Sequence, residues 1–175
     1  FGDLEVLIVD DGSSDETLSI ARDYARRDPR VRLHVNQGNL GLVENWNRCV
    51  ELARGRWIKF LFQDDYLHPA CLARMVAASR PGVALVVGRR TFLFEPGTPA
   101  AMKRMYDAHA TIFTVPRFFG DRSWIPGAIF ADHIVGHPTL NCIGEPTAIL
   151  LHRSAFERFG RFNPDFVVLG DWEYA

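Results

Sequence analysis

The chain has 175 residues, 47% of them hydrophobic and 23% charged, with a net charge of −1. That length suits one domain with one sizeable core, and the balanced charge supplies no general electrostatic drive toward nucleic acid or anionic lipid. Cys49, Cys71 and Cys142 are odd in number and form no CxxC pair, which argues against a disulfide framework or a zinc site and points to a reducing compartment. No run approaches the ~18 apolar residues of a membrane span, and no secretory signal is visible.

Residues 4–9 (LEVLIV) form a nearly continuous apolar run, which predicts a strand buried on both faces. A polar turn, Asp10-Asp11-Gly12-Ser13-Ser14-Asp15, follows. A helix is predicted over 15–27, with Ser13 and Glu16 at capping-box spacing and Asp28-Pro29 ending it. A second strand covers 31–35. The turn 36–39 leads to a helix over 42–53, with Leu42, Trp46, Cys49, Val50 and Ala53 on one face and Gly55 as the expected C-terminal cap. Residues 57–62 (WIKFLF) read as another buried strand, ending abruptly in Gln63-Asp64-Asp65. A helix runs from Pro69 to Ser79, and a strand covers 84–87. The order β-α-β-α-β-α-β predicts an α/β fold with a largely parallel sheet.

From Arg89 to about Leu140 the pattern weakens, and helices are expected over 100–110 and 122–135. A late strand covers 147–151. Ser154 and Glu157 repeat the capping-box spacing ahead of a short helix ending at Gly160. The apolar run 167–169 then reaches Gly170-Asp171-Trp172-Glu173.

The chemistry-bearing residues sit where strands end. In open α/β sheets, ligands bind outside the carboxyl ends of the strands. Asp10 and Asp11 close one apolar strand, and Asp64 and Asp65 close another. Either pair alone reads as helix capping or a solvated turn. Two such pairs meeting at one sheet edge repel one another unless a counter-charge is present. A hard divalent cation bridging a diphosphate supplies that charge. A lone carboxylate such as Asp171 in a loop carries little weight by itself.

Taken together, these segments resemble the family-2 glycosyltransferases. LEVLIVDDGSSDET, NQGNLGLVENWNRCVELARGRWIKFLFQDDYLHP, NCIGEPTAILLHRSAFERFGRFNPDF and GDWEYA match in that order and spacing. The match is strong over about residues 3–80 and moderate over 141–175. The resemblance implies a GT-A fold, that is, a Rossmann-like three-layer α/β/α domain with a largely parallel central sheet. It implies transfer from a nucleotide-diphosphate sugar, with a UDP-sugar as the expected donor, to a glycan or lipid-linked acceptor hydroxyl with inversion. Mn²⁺ or Mg²⁺ is the implied cofactor, and synthesis of cell-surface polysaccharide or glycoconjugate the implied context. The expected location is cytoplasmic, peripheral to the inner face of the membrane.

Carried over by residue, Asp11 resembles the carboxylate that reads the nucleotide base, with Asp10 beside it. Asn39 and Gly41 match the loop near the donor, and Gln63 and Asp64 complete the donor set. Asp64 resembles the metal-binding Asp that ends the family's D-x-D element, with Asp65 supporting it. Asp171 resembles the catalytic base, with Trp172 and Glu173 shaping the acceptor side. The whole chain reads as one domain, with residues 1–88 as the nucleotide-sugar-binding half and 89–175 as the acceptor-side half.

Three departures stand out. Phe62 occupies the first Asp position of the D-x-D element. The family's opening strand, with its Pro-x-Tyr/Phe-Asn turn, is not in this sequence, nor is the helix expected after Asp171. The expectation is therefore a truncated domain lacking its first strand, whose uncovered sheet edges favour a homo-oligomer. Two other readings compete. One is a non-catalytic binding or scaffold domain on the same fold. The other is a receiver-like phosphoacceptor domain, which wants a strand-end Lys that is not found after residues 83–87.

Overall fold

The computed structural model describes residues 2–112, 118–137 and 145–165. Asp171, Trp172 and Glu173 lie outside the described residues. The elements in chain order are β1 (Val6–Asp10), α1 (Thr17–Arg27), β2 (Val31–Val35), α2 (Leu42–Leu52), β3 (Trp57–Ile58), α3 (Cys71–Ala78), β4 (Leu85–Val87), α4 (Ala100–Ile112), α5 (Gly127–Gly136), a 3₁₀ turn (Pro146–Ala148), β5 (Ile149–His152) and α6 (Ser154–Phe159). This is the alternating α/β architecture that the strand and helix patterns predict.

β1 and β2 pair in parallel, with Val6 opposite Val31 and Asp10 opposite Val35. β5 lies between β3 and β4 and runs antiparallel to both, so β3 and β4 point the same way. β1 and β3 are not hydrogen-bonded to each other, and each is an edge among the described strands. The core gathers Val43 and Val50 of α2, Ile58 and Phe60, Ile149 and Leu151 of β5, Phe156 and Phe162. It is therefore centred where α2 meets the β3–β5 pair.

Several boundaries differ from expectation for local reasons. The strand predicted over 57–62 keeps ladder pairing only at Trp57 and Ile58. Beyond Ile58, the Ala148 carbonyl accepts from the Gly88 N–H at 2.7 Å, and the Thr147 carbonyl accepts from the Lys59 ammonium. The first part of the late strand is accordingly the 3₁₀ turn, and β5 begins at Ile149. Neither capping box forms. At α1 the Asp15 carboxylate takes the Thr17 N–H at 3.0 Å, and the helix starts at Thr17 with no side-chain cap from Ser13. At α6 the Ser154 hydroxyl bonds His152 Nδ1 at 2.7 Å instead. Pro126 delays α5 to Gly127, five residues later than predicted.

Gly55 does not cap α2, which ends on an extended Ala53. The Ala53–Gly55 corner is held instead by two long-range grips. Glu5, just ahead of β1, accepts from the N–H of Arg54 at 2.5 Å and of Gly55 at 3.2 Å, and pairs with Arg32 at 2.5 Å. Arg153 donates to the Gly55 carbonyl at 2.9 Å and to the Ala53 carbonyl. Partial burial pushes the Glu5 carboxyl up, but the Arg54 N–H, the Arg32 guanidinium and the Gly55 N–H outweigh it, and the net shift is below its ordinary value of 4.5. A depressed carboxyl contributes stability that is present above pH 4.5 and lost as pH falls through the lower folded value. Glu5→Gln is thus expected to destabilise the protein by about 1 kcal/mol at neutral pH. Urea midpoints of variant and parent should converge below pH 4; a constant gap across that range would contradict this role.

Candidate functional site

Asp10 ends β1 and Asp11 follows it, whereas Asp64 and Asp65 lie beyond the shortened β3 (Trp57–Ile58) and not at its end, and both acidic turns come out toward the N-terminal half of α2. The directions follow from α2's neighbours. Glu5, before β1, grips Arg54 and Gly55, just before β3, so the two strands start at the C-terminal end of α2. At the other end, Asn45 Nδ2 lies 3.5 Å from the Val9 carbonyl, next to Asp10. The adjacent Trp46 stacks on Phe62, with ring centroids 5.3 Å apart and planes within 9°. Phe62 stands two residues before Asp64. β1 and β3 thus run in one direction.

The first pair of carboxylates is occupied locally. Asp10 is buried and accepts from the Ser13 N–H at 3.0 Å. This folds the turn back on the strand end, and Gly12 adopts a φ of 97°, which favours glycine. Asp11 is a hub. One oxygen accepts from Asn36 Nδ2 and the Leu40 N–H, both at 2.8 Å. The other accepts from the Gly41 N–H at 2.9 Å. A carboxylate offers about four acceptor sites, and Asp11 uses three of them to tie the 36–41 loop to the end of β1. Asn39 and Gly41 belong to that loop. Asn39 Oδ1 accepts from the Gly41 N–H at 3.0 Å, and Gly41 opens α2 with a φ of 80°.

The second pair differs in kind. Gln63, Asp64 and Asp65 are exposed at the tip of a turn that the Asp65 N–H closes onto the Phe62 carbonyl at 3.2 Å. Beneath them Lys59 is largely buried. Its ammonium donates to the carbonyls of Phe60, at 2.9 Å, and Thr147. Burial pushes its pKa below the usual value, opposed by the charges of Cys71 and Asp65. Among the described residues no group of three or more His, Cys, Asp or Glu side chains gathers. Asp64 and Asp65 remain a two-carboxylate donor set, which suits a Mg²⁺ or Mn²⁺ that retains water and takes further oxygens from phosphate. Phe62 adds no ligand; its ring is committed to Trp46.

A cleft of about 530 Å³ opens beside β2 and α2, lined by His34, Asn36, Gln37, Glu44, Arg48 and Glu51 among others. It shares Asn36 and Leu40 with the Asp11 network but includes neither Asp64 nor Asp65. Sequence reasoning missed Asn36, Asn45 and Asn47. The amide of Asn47 is fully buried and pairs both ways with the backbone of Phe162, at 2.9 Å to the carbonyl and 2.8 Å from the N–H. A signal was available. Asn is a weak helix former, because its side chain competes for backbone partners, and two of them in one turn of α2 call for long-range partners.

No helix among the described residues is long and apolar enough to cross a membrane. Comparison with known proteins agrees with this construction. The model of the family described as Glycosyl transferase family 2 matches residues 1–159. The uncharacterized protein MT1568 of Mycobacterium tuberculosis is 31% identical over 173 residues, covering 98% of this chain and 51% of that protein. Chondroitin synthase of Escherichia coli is 46% identical over 67 residues, covering 38% of this chain and 10% of the synthase. The GalNAc(5)-diNAcBac-PP-undecaprenol beta-1,3-glucosyltransferase of Campylobacter jejuni is 34% identical over 89 residues, covering 50% of this chain and 29% of the enzyme. The chain therefore spans about half the length of the first relative and less than a third of the other two. With the family's model matching most of its length, and with both acidic turns and the α2 loop network carried on an α/β architecture, this chain belongs to glycosyl transferase family 2.

Proposed function

We propose that the chain is the donor-binding core of an inverting glycosyltransferase that takes a sugar from a nucleotide-diphosphate sugar, a UDP-sugar first among them. Residues 1–88 carry the donor side and 89–175 the acceptor side. The observation that carries the reading is the emergence of both acidic turns at one end of α2. Relatives support the chemistry, since their names include a glucosyltransferase and a chondroitin synthase. They also suggest an acceptor of glycan or lipid-linked type, in cell-surface glycan synthesis.

In this reading the Asp11 network presents a rigid loop to the nucleotide, with Asn39 and Gly41 at its edge. Asp64 and Asp65 would hold Mn²⁺ or Mg²⁺. A bound cation supplies Lewis-acid neutralisation of the leaving diphosphate. The acceptor hydroxyl attacks the anomeric carbon on the face opposite the diphosphate, and Asp171 takes its proton as general base. Trp172 and Glu173 shape the acceptor side.

The test is calorimetric titration of UDP with and without Mn²⁺. Asp64→Ala is expected to weaken Mn²⁺-dependent binding about tenfold or more, the loss of one charge-assisted ligand. Identical titrations for parent and variant in both conditions would remove Asp64 from the metal role. A binding-only reading draws on Phe62, which stands where the resemblance implies a carboxylate. Release of UDP from a UDP-sugar, measured over time with acceptor present, separates turnover from binding alone.

A further inference from the structure

Three successive residues of α2 hold the segments around the candidate site, with Trp46 and Asn47 sharing Phe162. Asn45 Oδ1 accepts from Asn36 Nδ2 at 2.9 Å, and the same Asn36 amide donates to Asp11. Asn45 Nδ2 reaches the Val9 carbonyl at 3.5 Å. Trp46 stacks flat on Phe62 and meets Phe162 edge-on at 5.6 Å. Asn47 closes the two-way amide pair with Phe162 across 115 residues of sequence. Neighbouring helical residues project about 100° apart, so three in a row fan out to three separate directions. Their targets are the end of β1 with its 36–41 loop for Asn45, Phe62 ahead of Asp64 for Trp46, and Phe162 for Trp46 and Asn47 together.

We infer that Asn45, Trp46 and Asn47 are positioning residues that set, from one turn of α2, the mutual placement of the donor loop, the acidic turn and the C-terminal segment. The inference rests on the transferase reading above for its kinetic consequences and on geometry alone for its structural ones. Asn45 acts through Asn36 on Asp11, and so on donor affinity. Asn47 acts through Phe162 on the acceptor-side segment, and so on turnover. A merely stabilising role would move both together.

The experiment pairs amide hydrogen exchange with steady-state kinetics on a panel of UDP-hexoses. Asn45→Ala is expected to speed exchange at Leu40 and Gly41 about tenfold and to spare Phe162, while raising the donor KM about tenfold at nearly constant kcat. Asn47→Ala is expected to speed exchange at Phe162, to spare Leu40 and Gly41, and to lower kcat with little change in KM. Asn47→Asp keeps the acceptor for the Phe162 N–H but loses the donor to the Phe162 carbonyl, so it should speed exchange at Phe162 less than alanine does and serves if the alanine variant does not fold. Equal acceleration at all three amides in both variants, or equal factors in KM and kcat, would overturn the inference. Separated exchange effects in a parent that turns over no donor would leave the positioning intact and sink the transferase reading instead.

Discussion

Replacing Asp171 with Asn is expected to lower the transfer rate by about two to four orders of magnitude while donor binding stays essentially unchanged. Asn matches the shape and much of the hydrogen bonding of Asp but cannot accept the acceptor hydroxyl's proton. The ground-state complex should therefore form, and only the step that deprotonates the nucleophile should suffer. Three readouts separate this from misfolding. UDP-sugar affinity by calorimetry should match the parent, with and without added Mn²⁺, and the ascending limb of the pH–kcat/KM profile should disappear. Transfer near the parental rate would remove Asp171 from the base role. Asp64→Ala is the complementary variant, since it should lose donor affinity as well as turnover.

The largest expected effect on stability is at Phe162. Its side chain is 2% exposed and meets Trp46, Phe60 and Phe156 at centroid separations of 5.6, 5.9 and 5.5 Å, all near edge-to-face. Phe162→Ala removes the shared ring of that cluster and leaves a cavity between α2, β3 and α6. Such truncations cost about 3–5 kcal/mol, a large part of a typical stability of 5–15 kcal/mol. The urea midpoint should fall markedly at an unchanged slope. The neighbouring Phe159 is 69% exposed, and Phe159→Ala should change the unfolding free energy by no more than about 0.5 kcal/mol and barely move the midpoint. Similar losses at the two positions would mean that the core is not centred where α2 meets β3 and β5.

Much of the fold was legible because its signals are local. Apolar runs ending in acidic turns marked β1 and β3, and helical periods marked α1, α2 and α3. Regions whose structure depends on distant partners were read less well. The strand expected over 57–62 contracts to two paired residues because the carbonyls of Thr147 and Ala148 are taken by Lys59 and Gly88. Both capping boxes have the right spacing, but Asp10 takes the Ser13 N–H and His152 takes the Ser154 N–H and hydroxyl that the boxes needed. Pairing choices of this kind depend on which competitor arrives from elsewhere in the fold.

The candidate site divides in the same way. Residue types and spacing alone determined an α/β domain with acidic doublets after apolar runs, because hydrophobic period and turn chemistry act over a few residues, and the family-2 type was legible only through the resemblance of its motifs. Only the tertiary structure decided what those carboxylates meet. It ties Asp10 to the Ser13 N–H and Asp11 to the Asn36 amide and the Leu40 and Gly41 N–H groups, and it leaves Asp64 and Asp65 exposed. It also assigns Asn36, Asn45 and Asn47 their partners. An amide's worth depends on what it meets, and Asn47 meets a backbone 115 residues away. No local rule reaches that far, since burial makes an unpaired polar group costly only after the chain has closed around it.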